Sequence, residues 1–378
     1  MTLRLLFSLL IATFLITSSS DSQAQGHELE TGGLSNQEFA ATVAKLSEPT
    51  GSFDSDNYIS NETGYLYILP KLQELKVRGG VYVGVGPEQN FTYIAQIRPE
   101  IAFILDIRRD NLLEHLLFKA LFEMADSRQS FLSLLLSKPV SSAGALSDSP
   151  SVSDLVTYFD AIEADAGLFE RSSVQIKELI GTYGVSLSPE DLKTIDSTMG
   201  VFRDRHLDLR WEYKTDGSRG VFFPSFREML LAKDLDGRFG NFLNSDRDFY
   251  YIKDMQARNL IIPLTGDFAG ESALRNIGEY ARGIGETISA FYLSNVEYYL
   301  MPDGVMPGFA ENVKSLPISD NSILIRAFVN LSAAQHPSRS GTELMTTLMQ
   351  YVSSFVGLWD EGKYQTYLDV GVADYIDH

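Results

Sequence analysis

Five short apolar runs, each followed by a helix-like stretch, constrain this chain more than any other feature. They are Val81-Tyr82-Val83, 101–105, 260–264, 288–293 and 322–328. The first stops at Gly84-Val85-Gly86-Pro87, the second at Asp106, the third at Thr265-Gly266-Asp267 and the fourth at Ser294-Asn295-Val296-Glu297. Runs this short and this apolar fit strands covered on both faces. Strands that alternate with helices pair in parallel, because a parallel pair needs a long crossover. The expected fold is therefore α/β, a doubly wound, mainly parallel sheet.

Helical spacing is read at 58–75, 91–97, 111–136, 272–283, 309–315 and, in the tail, 342–356. Ser35-Asn36-Gln37-Glu38 has the spacing of a capping box and predicts a short helix after it. The α/β rhythm breaks over 137–256. A Ser-, Pro- and Gly-rich loop opens this segment, and four or five helices follow. One of them starts at Ser188-Pro189-Glu190-Asp191, with a cap residue, proline at the first helical position and acids in the first turn. The chain divides into 1–24, a signal peptide; 25–57, a linker and first helix; 58–136, the first part of a Rossmann-like domain; 137–256, a helical insertion; and 257–378, the second part with the C-terminal helices.

The signal peptide is read from Arg4, the apolar run 5–16 and the small residues Ser22 and Ala24 before Gln25. The run is shorter than a spanning helix needs, although an uncleaved anchor is the alternative. The chain is expected to be exported, to a periplasm or beyond. It has no cysteine, which removes disulfides, thiolate nucleophiles and Cys-ligated metals. A net charge of −19 argues against nucleic acid and anionic membranes as partners. A small molecule is the expected partner. Templates for zinc peptidases, serine hydrolases and P-loops are absent, and the five histidines are scattered, so no metal is expected.

In an open parallel sheet, ligands bind beyond the carboxyl ends of the strands. Polar residues there are the candidates for chemistry. Gly84 and Gly86 let the backbone approach a ligand and turn sharply into a helix whose N-terminus favours anions. Asp106, at the end of the next strand, suits the two hydroxyls of a ribose. A plain tight turn with a capping Asp is the alternative. Asp267, Asn295, Glu297 and Arg326 complete the set of strand-end polar groups. Asp267 otherwise serves a turn beside Gly266, and Asn295 a helix cap. Asn61 and Glu62 precede a helical pattern that would cross the same edge, or simply cap it. Arg108 is placed at the pocket rim, or on a solvated helix start. Three Asn-X-Ser/Thr triplets begin at Asn61, Asn90 and Asn330.

The stretches GVGPEQNF, DIRRDNL, MQARNL and AFYLSNVE resemble an uncharacterised bacterial family of class I methyltransferase-like, Rossmann-like proteins. The resemblance implies S-adenosylmethionine as cofactor. It implies that Gly84, Gly86, Pro87, Asp106, Asp267 and Phe268 hold it. Asn295 and Glu297 would face the substrate as catalytic residues, with Glu297 a general base if burial raises its pKa. Two departures stand out: Tyr82 replaces the usual acid before the glycine loop, and Glu88 the third glycine. The tail after the fifth run leaves little room for the usual antiparallel hairpin. Two further readings stay open: an exported binding module without turnover, and an interaction protein that uses an apolar patch on 137–256.

Overall fold

Six strands form one sheet in the order β3-β2-β1-β4-β5-β6. They are β1 Val81–Gly84, β2 Ile101–Asp106, β3 Ile261–Thr265, β4 Ile288–Ser294, β5 Ile318–Val329 and β6 Met345–Tyr351. The computed structural model describes residues 32–140, 146–212, 223–331, 335–341 and 343–377; the expected signal peptide lies outside them. The first five strands pair in parallel and are the five apolar runs. β1, β2 and β3 are buried along their whole length, which fits their lack of polar alternation. The protein is thus an α/β, Rossmann-like fold with a mostly parallel sheet.

β6 corrects the expectation of a helix over 342–356. It runs antiparallel to β5 in an unbroken register from Ile323–Tyr351 to Val329–Met345. A helix, Val352–Asp360, starts only after it. The apolar spacing of Leu344, Met345, Leu348 and Met349 suits a helix locally, but pairing with a long neighbouring strand overrides it. The helical reading of 58–75 is also shortened: only Leu69–Glu74 is α-helix, and the residues before it form turns.

The helices divide between the two faces as right-handed crossovers require. Gln89–Ile97, Arg109–Met124 and Asp246–Ala257 pack together on one side. Ala273–Gly283, Met306–Lys314 and Val352–Asp360 form a row on the other. The insertion contributes Val152–Asp160, Ala166–Thr182, Pro189–Arg205 and Phe226–Leu230. These helices build outward from Arg109–Met124, and their buried side chains join the core of the sheet rather than forming a separate one. The exposed large apolar residues among the described residues of 137–256, Val140, Val174, Leu192, Leu235 and Tyr250, lie on different elements or loops.

The segment 47–62 is a strap along the carboxyl edge of the sheet. Thr265 N–H donates to Ser47 Oγ at 3.1 Å and Glu48 N–H to Thr265 C=O at 2.7 Å, which covers the open edge of β3. Pro263, two residues earlier, shares that outward side, so its missing N–H costs no ladder bond. Gly51 N–H then reaches Ile107 C=O at 2.8 Å, beyond β2. Glu48 accepts from Ser272 N–H, Ser272 Oγ and Ala273 N–H at the N-terminus of Ala273–Gly283. A Cβ on Gly270 would lie 2.3 Å from the Glu48 carboxylate, so glycine leaves room for this plug.

Candidate functional site

The chain order of the sheet reverses between β1 and β4, and a crevice opens at such a point. A cleft of about 470 Å³ lies there, lined by the ends of β1, β2, β3 and β4 and roofed by the strap. Its size is that of a small-molecule site. Of the residues expected there, Gly86, Pro87, Asp106, Arg108, Asp267, Phe268, Asn295 and Asn61 line it. Gly84, Glu62 and Glu297 do not.

Each of those three has a different task. A Cβ on Gly84 would meet Asn90 Oδ1 at 2.0 Å, so Gly84 makes room for the Asn90 side chain. Asn90 Nδ2 donates to the carbonyls of Val85, Gly86 and Pro87 at 2.8–3.1 Å and fixes the loop from within. Asn90 Oδ1 accepts from Tyr82, the residue that stands where an acid was expected, at 2.9 Å. Gly86 adopts φ 77°, which glycine alone takes without strain.

Glu62 is buried one layer behind the wall. It accepts from Tyr292 OH at 2.7 Å, from Gln89 Nε2 at 3.0 Å and from Ser294 Oγ. Burial raises its carboxyl, and these three donors offset part of the rise. Glu88 lies beside it and accepts from Ser60 N–H at 3.3 Å. Burial pushes Glu88 up to about 7, against the pull of backbone N–H groups, with the charge on Glu62 adding to the rise. Both departures from the resemblance are therefore buried groups beneath the loop, Tyr82 bonded to Asn90 and Glu88 set beside Glu62.

Glu297 forms a sealed ion pair with Arg326 of β5, Oε2 to Nε 2.8 Å, both side chains 2–3% exposed. Arg326 also donates to Gln350 Oε1 of β6 at 2.8 Å and to Val370 C=O at 3.1 Å. Burial holds the Glu297 carboxyl above its ordinary value and Arg326 offsets part of that. The role of general base expected for Glu297 does not fit a carboxylate that is paired behind the wall. Arg326 likewise belongs to this clamp.

Asp106 makes the turn contact that was one of the two alternatives read for it, and it also lines the cleft. Oδ1 accepts from Arg108 N–H at 2.8 Å, a turn contact, and Oδ2 lies 3.3 Å from Arg108 Nη2. Arg108 Nη1 donates to Asp56 C=O of the strap at 2.6 Å. Asp267 Oδ1 accepts from Ala269 N–H at 2.8 Å, so it too serves its turn while facing the cleft. Asn295 follows Ser294, which takes φ 51° at the end of β4. That left-handed residue turns the chain so that Asn295 meets the cleft, and such strain gathers at functional sites.

Sequence reasoning missed the mouth. Phe53 and Asp54 come from the strap, Trp211 from the insertion, and Tyr299, Asp303 and Val305 from the segment after β4. Only the aromatic pair Tyr298-Tyr299 beside the fourth strand end gave a local signal. Asn90, the second triplet asparagine, is fully buried.

A family described as "Domain of unknown function (DUF7790)" matches residues 58–148 and 168–368. No curated protein matches the chain.

Proposed function

The chain belongs to the family matched over those residues, and within it we propose a methyltransferase-like protein that binds S-adenosylmethionine or a related nucleoside in the strand-end cleft. The observation that carries this reading is that Gly86, Asp106, Asp267 and Asn295, from four consecutive strand ends, line one cleft at the reversal of strand order. Asp106 would take the ribose hydroxyls: a carboxylate offers about four lone-pair sites, and Arg108 uses two. Gly86 and Pro87 would lie along the amino-acid moiety, and Asp267 and Phe268 beside the base. Asn295 would face the substrate. The antiparallel β6 supports the same reading, because it supplies a strand of the final hairpin that the resemblance implies. When bound, the cofactor would supply an electrophilic methyl group. The chain's own part is to orient it and to keep water from the buried loop network.

The test is calorimetric titration with S-adenosylmethionine and S-adenosylhomocysteine, alongside Asp106→Ala shown to be folded. Micromolar binding that weakens at least tenfold in the variant is the expected result. No heat from the folded protein would remove the cofactor from this proposal. A binding role without turnover is the second reading, and the engagement of Glu297 with Arg326 favours it. Export is part of the proposal, and a secreted product that begins at Gln25 would support it.

A further inference from the structure

The cleft has a floor and a mouth of different chemistry. The floor consists of hydrogen-bonded strand ends. The mouth is aromatic and acidic. Phe53 meets Tyr299 edge to face, with ring centroids 5.0 Å apart. Trp211 packs against Phe223, whose ring lies 4.4 Å away, in a small apolar cluster that Phe53 joins. The strap, the insertion and the segment after β4 thus converge on one apolar wall, with Leu300 and Val305 continuing it.

Charge on this lining is one-sided. Asp54, Asp106, Asp267 and Asp303 line the cleft, and Arg108 is the only lysine or arginine among the described lining residues. Arg108 is committed to Asp106 and to the Asp56 carbonyl. Asp54, Asp267 and Asp303 form no ion pair among the described residues. A cleft of one sign with low-dielectric walls focuses its field, and the net charge of −19 reinforces it. Anions are repelled from such a mouth. A neutral guest leaves the carboxylates uncompensated. A cation gains twice, from the carboxylates and from the faces of Trp and Tyr rings.

We propose that the mouth binds the protonated amine or quaternary ammonium group of a ligand with an apolar body, held against Phe53, Trp211 and Tyr299 and neutralised by Asp54 and Asp303. In the reading of the cleft as a cofactor site, on which this rests, that ligand is the second substrate. The proposal concerns binding alone and assigns no bond-making step.

The full chain contains two tryptophans, so Trp359→Phe leaves Trp211 as a single fluorescent reporter. Benzyltrimethylammonium, neutral 2-phenylethanol and anionic phenylacetate are titrated against it. The ammonium is expected to bind about tenfold more tightly than the alcohol, and phenylacetate most weakly. Asp54→Asn with Asp303→Asn, both at exposed positions, should leave the thermal midpoint unchanged and reduce the preference to under about threefold. Equal binding of ammonium and alcohol, no response to the ammonium, or a preference unchanged in the double variant would overturn the proposal. S-adenosylhomocysteine, titrated separately, keeps the two readings apart. Its failure to bind while the ammonium binds removes the cofactor and retains the cation site. Binding of S-adenosylhomocysteine together with no charge preference at the mouth does the reverse.

Discussion

Two buried carboxylate–arginine pairs stand on either side of β1, one at the end of β2 and one joining the end of β4 to β5, and they differ in what they face. Asp106 and Arg108 lie two residues apart at the end of β2 and line the cleft. Glu297 and Arg326 come from separate elements, and neither lines it. Both pairs are within 5% of complete burial. The first pair can exchange a partner with a ligand, because its remaining acceptor sites meet open space. The second can only hold β4, β5, β6 and the chain near Val370 together. Burial and pairing thus do not mark a catalytic group; access to the cleft separates the two.

Removing one partner of the sealed pair should produce the largest effect. Arg326→Met leaves Glu297 buried and uncompensated and is expected to cost about 3–5 kcal/mol in urea denaturation. Combining it with Glu297→Gln should recover most of that, and a double variant no more stable than the single one would show that the clamp works through other contacts.

Glu88 sharpens the comparison as a sealed carboxylate without an arginine. Its folded pKa of about 7 exceeds the ordinary 4.5. The folded state therefore holds a proton that the unfolded state has lost, and stability falls as pH rises from about 4.5 to about 7. Glu88→Gln should stabilise the protein by on the order of 2–3 kcal/mol at pH 8 and by little at pH 4. A stability gain independent of pH would show that this carboxyl does not titrate as its burial implies.

Asp106→Asn tests the open pair. We expect a loss of about 1–2 kcal/mol, less than for Arg326→Met, because Arg108 keeps its bond to the Asp56 carbonyl. A thermal melt that shows an equal or greater loss would erase the distinction between the pairs.

The smallest effect is expected at Glu48. Burial pushes this carboxyl up, but the N–H groups of Ala273, Ser272 and Asp267 and the Ser272 hydroxyl outweigh it, so it lies below its ordinary value. Its contribution is present above about pH 4.5 and is lost as pH falls through the lowered value. Glu48→Gln should cost about 1 kcal/mol at pH 7. The gap between the two proteins should close on acidification in paired melts.

The strands that carry the floor were legible because a strand buried on both faces writes itself as an unbroken apolar run, as 101–105 does. Their polar ends were legible for the same reason, since Asp106 and Asn295 interrupt such runs. Glu297 shows the limit: a carboxylate one turn past a strand end has the same local sequence whether it faces the cleft or an arginine of the next strand. β6 was illegible because its apolar residues recur at helical spacing and its pairing partner lies elsewhere in the chain. The mouth was illegible because Phe53, Trp211 and Tyr299 meet only in three dimensions.

The strap has a kinetic consequence. Glu48 bonds Ser272 Oγ and Ala273 N–H across sequence separations of 224 and 225, and Glu62 bonds Tyr292 across 230. Such contacts require closure of very long loops, which slows their formation. They also need β3, β4 and the helix after β3 in place first. The roof of the cleft should therefore dock last, so that a chain arrested before the second half of its sequence is made would carry the glycine loop but no binding site.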